Sequence, residues 1–362
     1  MKVRMFDLRV KDKLLHRNLL SNFKKILKHG IFFFGPELHE FEKKMSKYLK
    51  VKYALGVASG SSALYIALKS LGIKKGDEVI TTPFSWIITS NAIVECGATP
   101  VFCDIKDDYN INSGLIESKI TKKTKAIVPV NLYGQSANYE NIKKIAKKYN
   151  IKVIEDCAQS SGALYKNKPS GSYGDISAFS FYPTKNLGGY GDGGMIVTNN
   201  KKLFKKCLML RKYGMSKLYY SNFHGINSRL DEIHAAILDY KLKKLDHNIK
   251  IRRNIARIYK DYLSGTDLIL PNENKDNYHS YYVYVVRHKK RNEIMRFLNK
   301  NGIICNISYP YPIHSMKGYK KLTKSFNLNI TNKMSKQIFS LPMYPELDNK
   351  KIDKVIKILK KF

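Results

Sequence analysis

Between residues 50 and about 200, short runs of β-branched and aromatic residues alternate with longer segments of helical periodicity. In one such segment Ile142, Ile145, Ala146 and Tyr149 recur on one helix face, which predicts an amphipathic helix. Alternation of this kind is typical of a mainly parallel sheet with helices on both faces. Seven runs are predicted as its strands: 53–57, 78–82, 100–105, 126–131, 152–156, 176–182 and 194–198.

The last three of these runs follow one another with little helix between them, so a strand order other than the simple Rossmann winding is expected. Residues 229–260 then read as one long helix. Beyond it the pattern predicts a strand at 281–287, a helix at 291–301, a strand at 303–309 and a last helix at 349–360. We therefore expect a large domain over residues 1–245, including an N-terminal arm, and a small α/β domain over residues 246–362.

The composition changes this picture little. The 362 residues are 43% hydrophobic, enough for a substantial core, and the formal net charge of +36 comes from 65 Lys+Arg against 29 Asp+Glu. Such an excess is compatible with an anionic partner, either a phosphorylated substrate or a polyanion. The lysines are spread along predicted solvent faces, however, and no nucleic-acid-binding motif accompanies them, so we expect no nucleic-acid partner.

The five cysteines are odd in number and lack a CxxC pair, which predicts neither a disulfide framework nor a metal site and fits a reducing cytoplasm. No apolar stretch reaches the ~20 residues of a membrane-spanning helix. The first residues lack the apolar core of a signal peptide.

Lys185 is the first candidate for chemistry. It follows an apolar strand in DISAFSFYPTKNLGGYGDGG (175–194), and the glycines after it allow backbone to approach a ligand closely. The segment 189–194 formally matches GxGxxG. Because a strand follows it rather than a helix, no helix N-terminus is offered to a pyrophosphate, and the dinucleotide interpretation is rejected.

Three further signals precede Lys185, each with a commoner structural explanation. Asp156 ends a buried strand, where an acid either points into the ligand crevice of an α/β fold or caps a helix. The turn ASGSSAL (58–64) opens a helix with Ser61 and Ser62, which predicts either an anion site or a plain helix cap. Trp86, the only tryptophan, stacks on a ring or packs in a core. The order of these signals describes a site for an anionic aromatic aldehyde.

These motifs together resemble the DegT/DnrJ/StrS family of nucleotide-sugar aminotransferases, which are pyridoxal-phosphate (PLP) enzymes of fold type I. The resemblance runs nearly end to end. It rests on GPE (35–37), ASGSSAL (58–64), GDEV (76–79), GATP (97–100), YGQ (133–135), EDCAQ (155–159), FSFYPTKNLG (179–188), GDGG (191–194), NSRL (227–230) and SLPMYPEL (340–347).

The resemblance implies a role for each matching position. Lys185 would bind the cofactor as a Schiff base and then move protons, and Asp156 would pair with the ring nitrogen of the cofactor. Asn227 would reach the cofactor phosphate of the neighbouring subunit, which makes the enzyme a homodimer with shared active sites. The other implied contacts are Gln159 with the ring hydroxyl, Trp86 with the ring face, Ser61, Ser62 and Ser180 with the phosphate, and Tyr309 and His314 with the sugar nucleotide.

The implied activity is that of a transaminase. L-glutamate would give its amino group to PLP, and the resulting pyridoxamine phosphate would aminate a nucleotide-linked keto-sugar. The segments KNLG-x-YGDGG and SLPMYPEL resemble the 3-amino branch, which implies amination at C3, with a dTDP-3-keto-6-deoxyhexose favoured. Alternatives are a UDP-3-keto-N-acetylglucosaminuronate aminotransferase, a 4-aminotransferase, an inactive regulator, or a basic protein that binds nucleic acid or an anionic surface. A dehydratase branch has His at position 185, and Lys185 argues against it.

Overall fold

A computed structural model describes residues 2–322 and 327–362. Its largest sheet has seven strands in the order β1-β9-β8-β5-β4-β2-β3. The strands of the described chain are β1 Tyr53–Val57, β2 Glu78–Thr81, β3 Thr99–Phe102, β4 Thr124–Val128, β5 Lys152–Asp156, β6 Leu164–Tyr165, β7 Lys168–Pro169, β8 Ile176–Ser180, β9 Gly194–Thr198, β10 Met215–Lys217, β11 Tyr220–Ser221, β12 Asn277–Tyr278, β13 Tyr284–Arg287 and β14 Ile338–Leu341.

The seven predicted strands are confirmed as the seven strands of this sheet. Five adjacent strands, β8-β5-β4-β2-β3, run parallel, whereas β9 is antiparallel to both of its neighbours. The antiparallel strand arises because β9 returns directly after β8 through the glycine-rich loop, without the crossover helix that a parallel connection needs. The expectation of an order other than the Rossmann winding is therefore confirmed.

Helices cover both faces of this sheet. The α-helices of the described chain are α1 Lys13–His29, α2 Pro36–Leu49, α3 Gly60–Ser70, α4 Ile88–Glu95, α5 Tyr139–Tyr149, α6 Lys201–Leu210, α7 Glu232–Leu242, α8 Leu245–Leu263, α9 Arg291–Lys300, α10 Lys317–Lys320, α11 Asn329–Gln337 and α12 Asn349–Leu359. The amphipathic helix predicted around Ile142 is confirmed as α5, and Asn138 caps its N-terminus.

The prediction of one long helix over 229–260 is wrong, because the helix is interrupted at residues 243–244, between α7 and α8. Because of this interruption, the first part of α8 packs in one hydrophobic core and the last part packs in another. Leu245 and Ile249 pack against the large sheet, whereas Ile255 and Tyr259 pack in the C-terminal core. The hydrophobic periodicity continues across the break, so the pattern alone does not reveal it.

The C-terminal region contains a two-stranded sheet, β13 with β14, covered by α8, α9 and α12. The predicted strand at 303–309 is wrong: this segment makes only isolated bridges, from Ile303 to Val3 and from Asn306 to Ser340. The N-terminal arm pairs with this segment in place of a regular strand. The N–H of Val3 donates to the carbonyl of Gly302, the carbonyl of Val3 accepts the N–H of Ile304, and Val3 is fully buried. The strand β14 was not predicted.

In the part of the chain that the structure describes, no helix has the length and apolarity needed to cross a membrane.

Candidate active site

The first component of the site is the N-terminus of α3, just after β1. Ser59 caps this helix: its hydroxyl accepts the N–H of Ser62 at 3.1 Å, and its own N–H donates to the Ser62 hydroxyl at 3.1 Å. A Cβ on Gly60 would lie 2.7 Å from the Cβ of Ser180, so the end of β8 lies directly against this helix start. Ser61 is exposed beside them. The helix dipole, the first free N–H groups and these hydroxyls form a place for an anion.

Of the three serines expected at a phosphate, Ser62 is already engaged in the helix cap. Its hydroxyl also accepts a hydrogen bond from the Ser228 hydroxyl at 2.8 Å, and the Ser228 hydroxyl in turn accepts the N–H of Ala58 at 3.1 Å. Ser59 and Ser228 lie in the motifs ASGSSAL and NSRL, but no role was assigned to either of them from the sequence. A serine before a helix was the visible signal for Ser59, whereas only the fold brings Ser228 to this turn.

Asp156 lies at the carboxyl end of β5 with only 2% of its surface exposed. One carboxylate oxygen accepts the Thr89 hydroxyl at 2.8 Å, and the other accepts the N–H of Ala158 at 3.1 Å. Burial raises the pKa of Asp156, and these two hydrogen bonds and the charge of Lys185 oppose that rise. A buried carboxylate with unused acceptor capacity is a strong partner for a cationic ring N–H. No motif in the sequence indicated Thr89.

Gln159 follows on the turn after β5. Its side-chain oxygen accepts the backbone N–H of Tyr133 at 2.9 Å, and its amide donates to the hydroxyl of Tyr309. The rings of Tyr133 and Tyr309 lie parallel with centroids 6.2 Å apart. Tyr309 therefore brings the C-terminal region to the edge of the large sheet, next to Gln159. Burial raises the pKa of Tyr309, so its hydroxyl remains protonated over the physiological range.

Lys185 lies at the turn that leaves β8, where its backbone N–H donates to the carbonyl of Tyr182 at 2.9 Å. Its Nζ atom lies 4.6 Å from the ring centroid of Tyr282. The Tyr282 hydroxyl and the Thr184 hydroxyl are 3.1 Å apart. Tyr282 comes from the C-terminal half of the chain, and no motif in the sequence indicated it.

The loop after Lys185 is held by α7. Lys241 donates to the carbonyl of Gly188 at 2.7 Å, and its Nζ lies 3.9 Å from the ring centroid of Tyr190. A Cβ on Gly191 would lie 2.5 Å from Nε2 of His234, so a larger residue at this position would displace the His234 ring. The glycines thus let α7 pack against the segment that positions Lys185.

The remaining predicted residues lie at the margin of this arrangement. Trp86 is 61% exposed, with its ring centroid 6.4 Å from that of Tyr309. His314 bonds to the Asn332 side chain at 3.1 Å, and burial lowers the pKa of His314, which keeps it neutral. Asn227 is exposed.

The fold therefore brings Lys185, Asp156, Gln159, Ser180 and the start of α3 to one edge of the sheet. This set fits pyridoxal phosphate: a lysine amine suits an aldehyde, a buried carboxylate suits a ring N–H, and a helix N-terminus suits a phosphate. Fold and side chains together define a PLP-dependent aminotransferase.

Comparison with known proteins agrees. Residues 14–360 match the DegT/DnrJ/EryC1/StrS aminotransferase family, and this chain belongs to that family. The dTDP-3-amino-3,4,6-trideoxy-alpha-D-glucose transaminase of Micromonospora megalomicea is 41% identical, over 95% of this chain and 94% of that protein. A Geobacillus stearothermophilus protein named pleiotropic regulatory protein is 39% identical, over 100% of this chain and 99% of that one.

Among solved structures, NtdA from Bacillus subtilis with bound pyridoxamine phosphate superposes with a TM-score of 0.91. It is 33% identical, and the match covers 98% of this chain and 82% of that chain. The expected family, fold class, transaminase activity and PLP cofactor are confirmed. The chain is a sugar-nucleotide aminotransferase.

Proposed function

We propose that this enzyme transfers the amino group of L-glutamate to C3 of a nucleotide-linked keto-sugar, by alternating half-reactions. The favoured acceptor is a dTDP-3-keto-6-deoxyhexose, because the 3-amino motifs of the sequence agree with the name of the 41% identical Micromonospora relative. The observation that supports the chemistry best is the electrostatic interaction of Lys185 with the buried carboxylate of Asp156, at the sheet edge where the end of β8 meets the start of α3.

Each group in the site then has one task. When bound, pyridoxal phosphate supplies the aldehyde carbon that receives the amino group and a ring that accepts electrons from the reacting carbon. Asp156 holds the ring nitrogen in its protonated form, and Thr89 and Ala158 fix the orientation of that carboxylate. Lys185 removes and returns the proton at the reacting carbon.

Binding and orientation come from the neighbouring residues. The N–H groups at the start of α3, with Ser61 and Ser180, bind the phosphate. Gln159, fixed by Tyr133 and Tyr309, binds the ring hydroxyl. Trp86 would cover a face of the cofactor ring and would exclude water from that side. Tyr309 and His314 line the path of the sugar nucleotide.

Product analysis tests the position of amination. The enzyme is incubated with L-glutamate and, separately, a dTDP-3-keto sugar, a dTDP-4-keto sugar and UDP-3-keto-N-acetylglucosaminuronate, and each product is assigned by NMR. We expect an amine at C3 of the dTDP sugar and the largest kcat/KM for that acceptor. An amine at C4 would contradict the C3 assignment, and preference for the uronate would replace dTDP with UDP as the carrier.

We further propose a homodimer in which Asn227 completes the neighbouring site. Asn227 is exposed on its own chain, which suits a contact outside the subunit. A mixture of Lys185→Ala and Asn227→Ala subunits tests this. Each variant alone should be nearly inactive, whereas the mixed dimer has one site with both native residues and should recover activity. No recovery, with mixed dimers demonstrated by mass, would show that the site is not shared.

The regulatory name of the Geobacillus relative suggests a second candidate, a regulator without turnover. Lys185→Ala distinguishes the two. A catalytic role requires that the variant bind the cofactor without a covalent bond and lose transamination. A wild-type protein that binds the cofactor but never exchanges an amino group would favour the regulator.

A further inference from the structure

Tyr282 is held in place by its backbone on both sides. Its N–H donates to the carbonyl of Tyr133 at 3.0 Å, and its carbonyl accepts Arg252 at 3.3 Å. Arg252 is itself buried and also donates to the carbonyls of Tyr281 and Met343. Burial lowers the pKa of Arg252 to about 10. A buried guanidinium bonded to three carbonyls makes this junction between the large sheet and the C-terminal region rigid.

The side chain of Tyr282 extends from this junction to Lys185. The ring centroid is 4.6 Å from Nζ of Lys185, within the range at which a ring face attracts an ammonium group. The ring is also fixed at its far end, because its hydroxyl is 3.1 Å from that of Thr184, the residue before the lysine. The aromatic face is therefore oriented toward the amine by contacts at both ends of the tyrosine.

We propose that Tyr282 is a positioning residue that holds the free amine of Lys185 against its ring whenever that amine is not bonded to the cofactor. This inference rests on the proposed function, in which Lys185 must be free during part of each half-reaction. A lysine side chain has four rotatable bonds, so an unrestrained amine would spend much of its time outside reach of the proton it must move. An attraction at one ring face reduces the number of positions that the amine can occupy, and it leaves the other side of the amine free to react.

The variants separate the ring from its hydroxyl. Tyr282→Leu removes the aromatic face, and Tyr282→Phe keeps the face but loses the contact with Thr184. Tyr262→Leu is the matched control, since Tyr262 is 57% exposed on α8 and its ring also faces a lysine, Lys360, at 5.6 Å. Tyr282→Met is a second non-aromatic variant, for use if the leucine variant folds poorly.

The first readout uses full-length protein freed of cofactor. Acetic anhydride labels Lys185 at fixed pH, and mass spectrometry follows the peptide. Because the amine must leave its contact with the ring before it can react, we expect labelling in Tyr282→Leu to be roughly two- to thirty-fold faster than in wild type. Tyr282→Phe and Tyr262→Leu should label Lys185 at the wild-type rate. Equal rates in wild type and both non-aromatic variants would overturn the inference.

The second readout is the single-turnover reaction of the PLP-loaded enzyme with L-glutamate. The rate should fall by a similar factor in Tyr282→Leu while the KM for glutamate stays unchanged, and Tyr282→Phe should restore most of the rate. A fall in cofactor affinity and melting temperature with no aromatic rescue would instead show a structural role. If wild type itself does not react with glutamate, the proposed function fails, whereas the labelling result still judges the contact of Tyr282 with Lys185.

Discussion

Lys241 provides a prediction whose size follows from the structure. It is mostly buried on α7, where it donates to the carbonyl of Gly188 and lies over the ring of Tyr190. Burial lowers the pKa of Lys241 from an ordinary 10.5 to about 8, and the nearby charge of Glu346 only partly opposes this. The perturbation is Lys241→Met, which keeps an unbranched apolar side chain and removes the charge.

The direction of the pH dependence follows from the number of protons that Lys241 binds in the folded and the unfolded state. Between pH 8 and 10.5 the folded state binds fewer protons at Lys241 than the unfolded state, so the wild type gains stability as pH rises through this window. Since one pKa unit corresponds to about 1.4 kcal/mol, the full gain is roughly 3 kcal/mol, of which roughly 2 kcal/mol falls between pH 7.5 and 10. Lys241→Met lacks this gain, so its stability relative to wild type should fall by that amount over the same interval.

Urea unfolding at pH 7.5 and 10, at one protein concentration, measures the effect as a change in the free energy of unfolding. Lys243→Met is the matched control, because Lys243 is exposed on the same segment, and its pH dependence should parallel that of wild type. A parallel pH dependence in Lys241→Met would refute the reasoning. It would mean that Lys241 is hydrated in solution or paired with an acid.

Three further predictions concern the site and its support. Burial raises the pKa of Asp156, so its charge costs stability above the ordinary pKa of aspartate. Asp156→Asn should therefore raise the melting temperature of cofactor-free protein at pH 7, but not near pH 3. The same variant should lower the rate of transamination roughly a hundredfold to a thousandfold. A lower melting temperature at pH 7 would contradict this. Gly194→Ala places a Cβ 2.3 Å from the carbonyl carbon of Ser59 and should cost roughly 1 to 3 kcal/mol in urea unfolding, whereas Gly265→Ala, with no atom within 4 Å, should cost under about 0.5 kcal/mol; equal costs would refute the close approach. In Glu155→Gln the remaining side-chain oxygen can serve only one side of the network, so an amide N–H group would face either the N–H of Gly171 or those of Tyr173 and Gly174. Burial raises the pKa of Glu155, but the lost hydrogen bonds should outweigh the benefit of removing its charge and should cost roughly 1 to 3 kcal/mol, so an unchanged unfolding midpoint would count against that network.

The large sheet could be predicted from sequence because each buried strand is a short apolar run bounded by turns, and the helices between strands show their own period. In the C-terminal region the predicted strand at 281–287 and the predicted helices at 291–301 and 349–360 are confirmed as β13, α9 and α12, but two other expectations are wrong. The apolar pattern continues across residues 243–244, although the helix is interrupted there. The segment after Ile303 has the composition of a strand but pairs with the N-terminal arm. These outcomes depend on which distant segment packs there, and local periodicity does not contain that information.

The candidate site likewise contains residues that a sequence pattern finds and residues that it does not find. Lys185, Asp156 and Gln159 lie in contiguous motifs at strand ends, so a sequence pattern finds them. Thr89 and Tyr282 lie in ordinary apolar contexts, and only the folded chain brings Thr89 to Asp156 and Tyr282 to Lys185. Residues that support a functional group from another element leave no periodic or motif signal of their own.

We propose above all that Lys185 carries the cofactor through an amino-group exchange. The most direct measurement is the absorbance spectrum of PLP-loaded wild type and Lys185→Ala, before and after L-glutamate. We predict that wild type shows a band near the visible edge that moves to shorter wavelength with glutamate, and that the variant shows no such conversion. The same conversion in Lys185→Ala, or none in wild type, would contradict the claim.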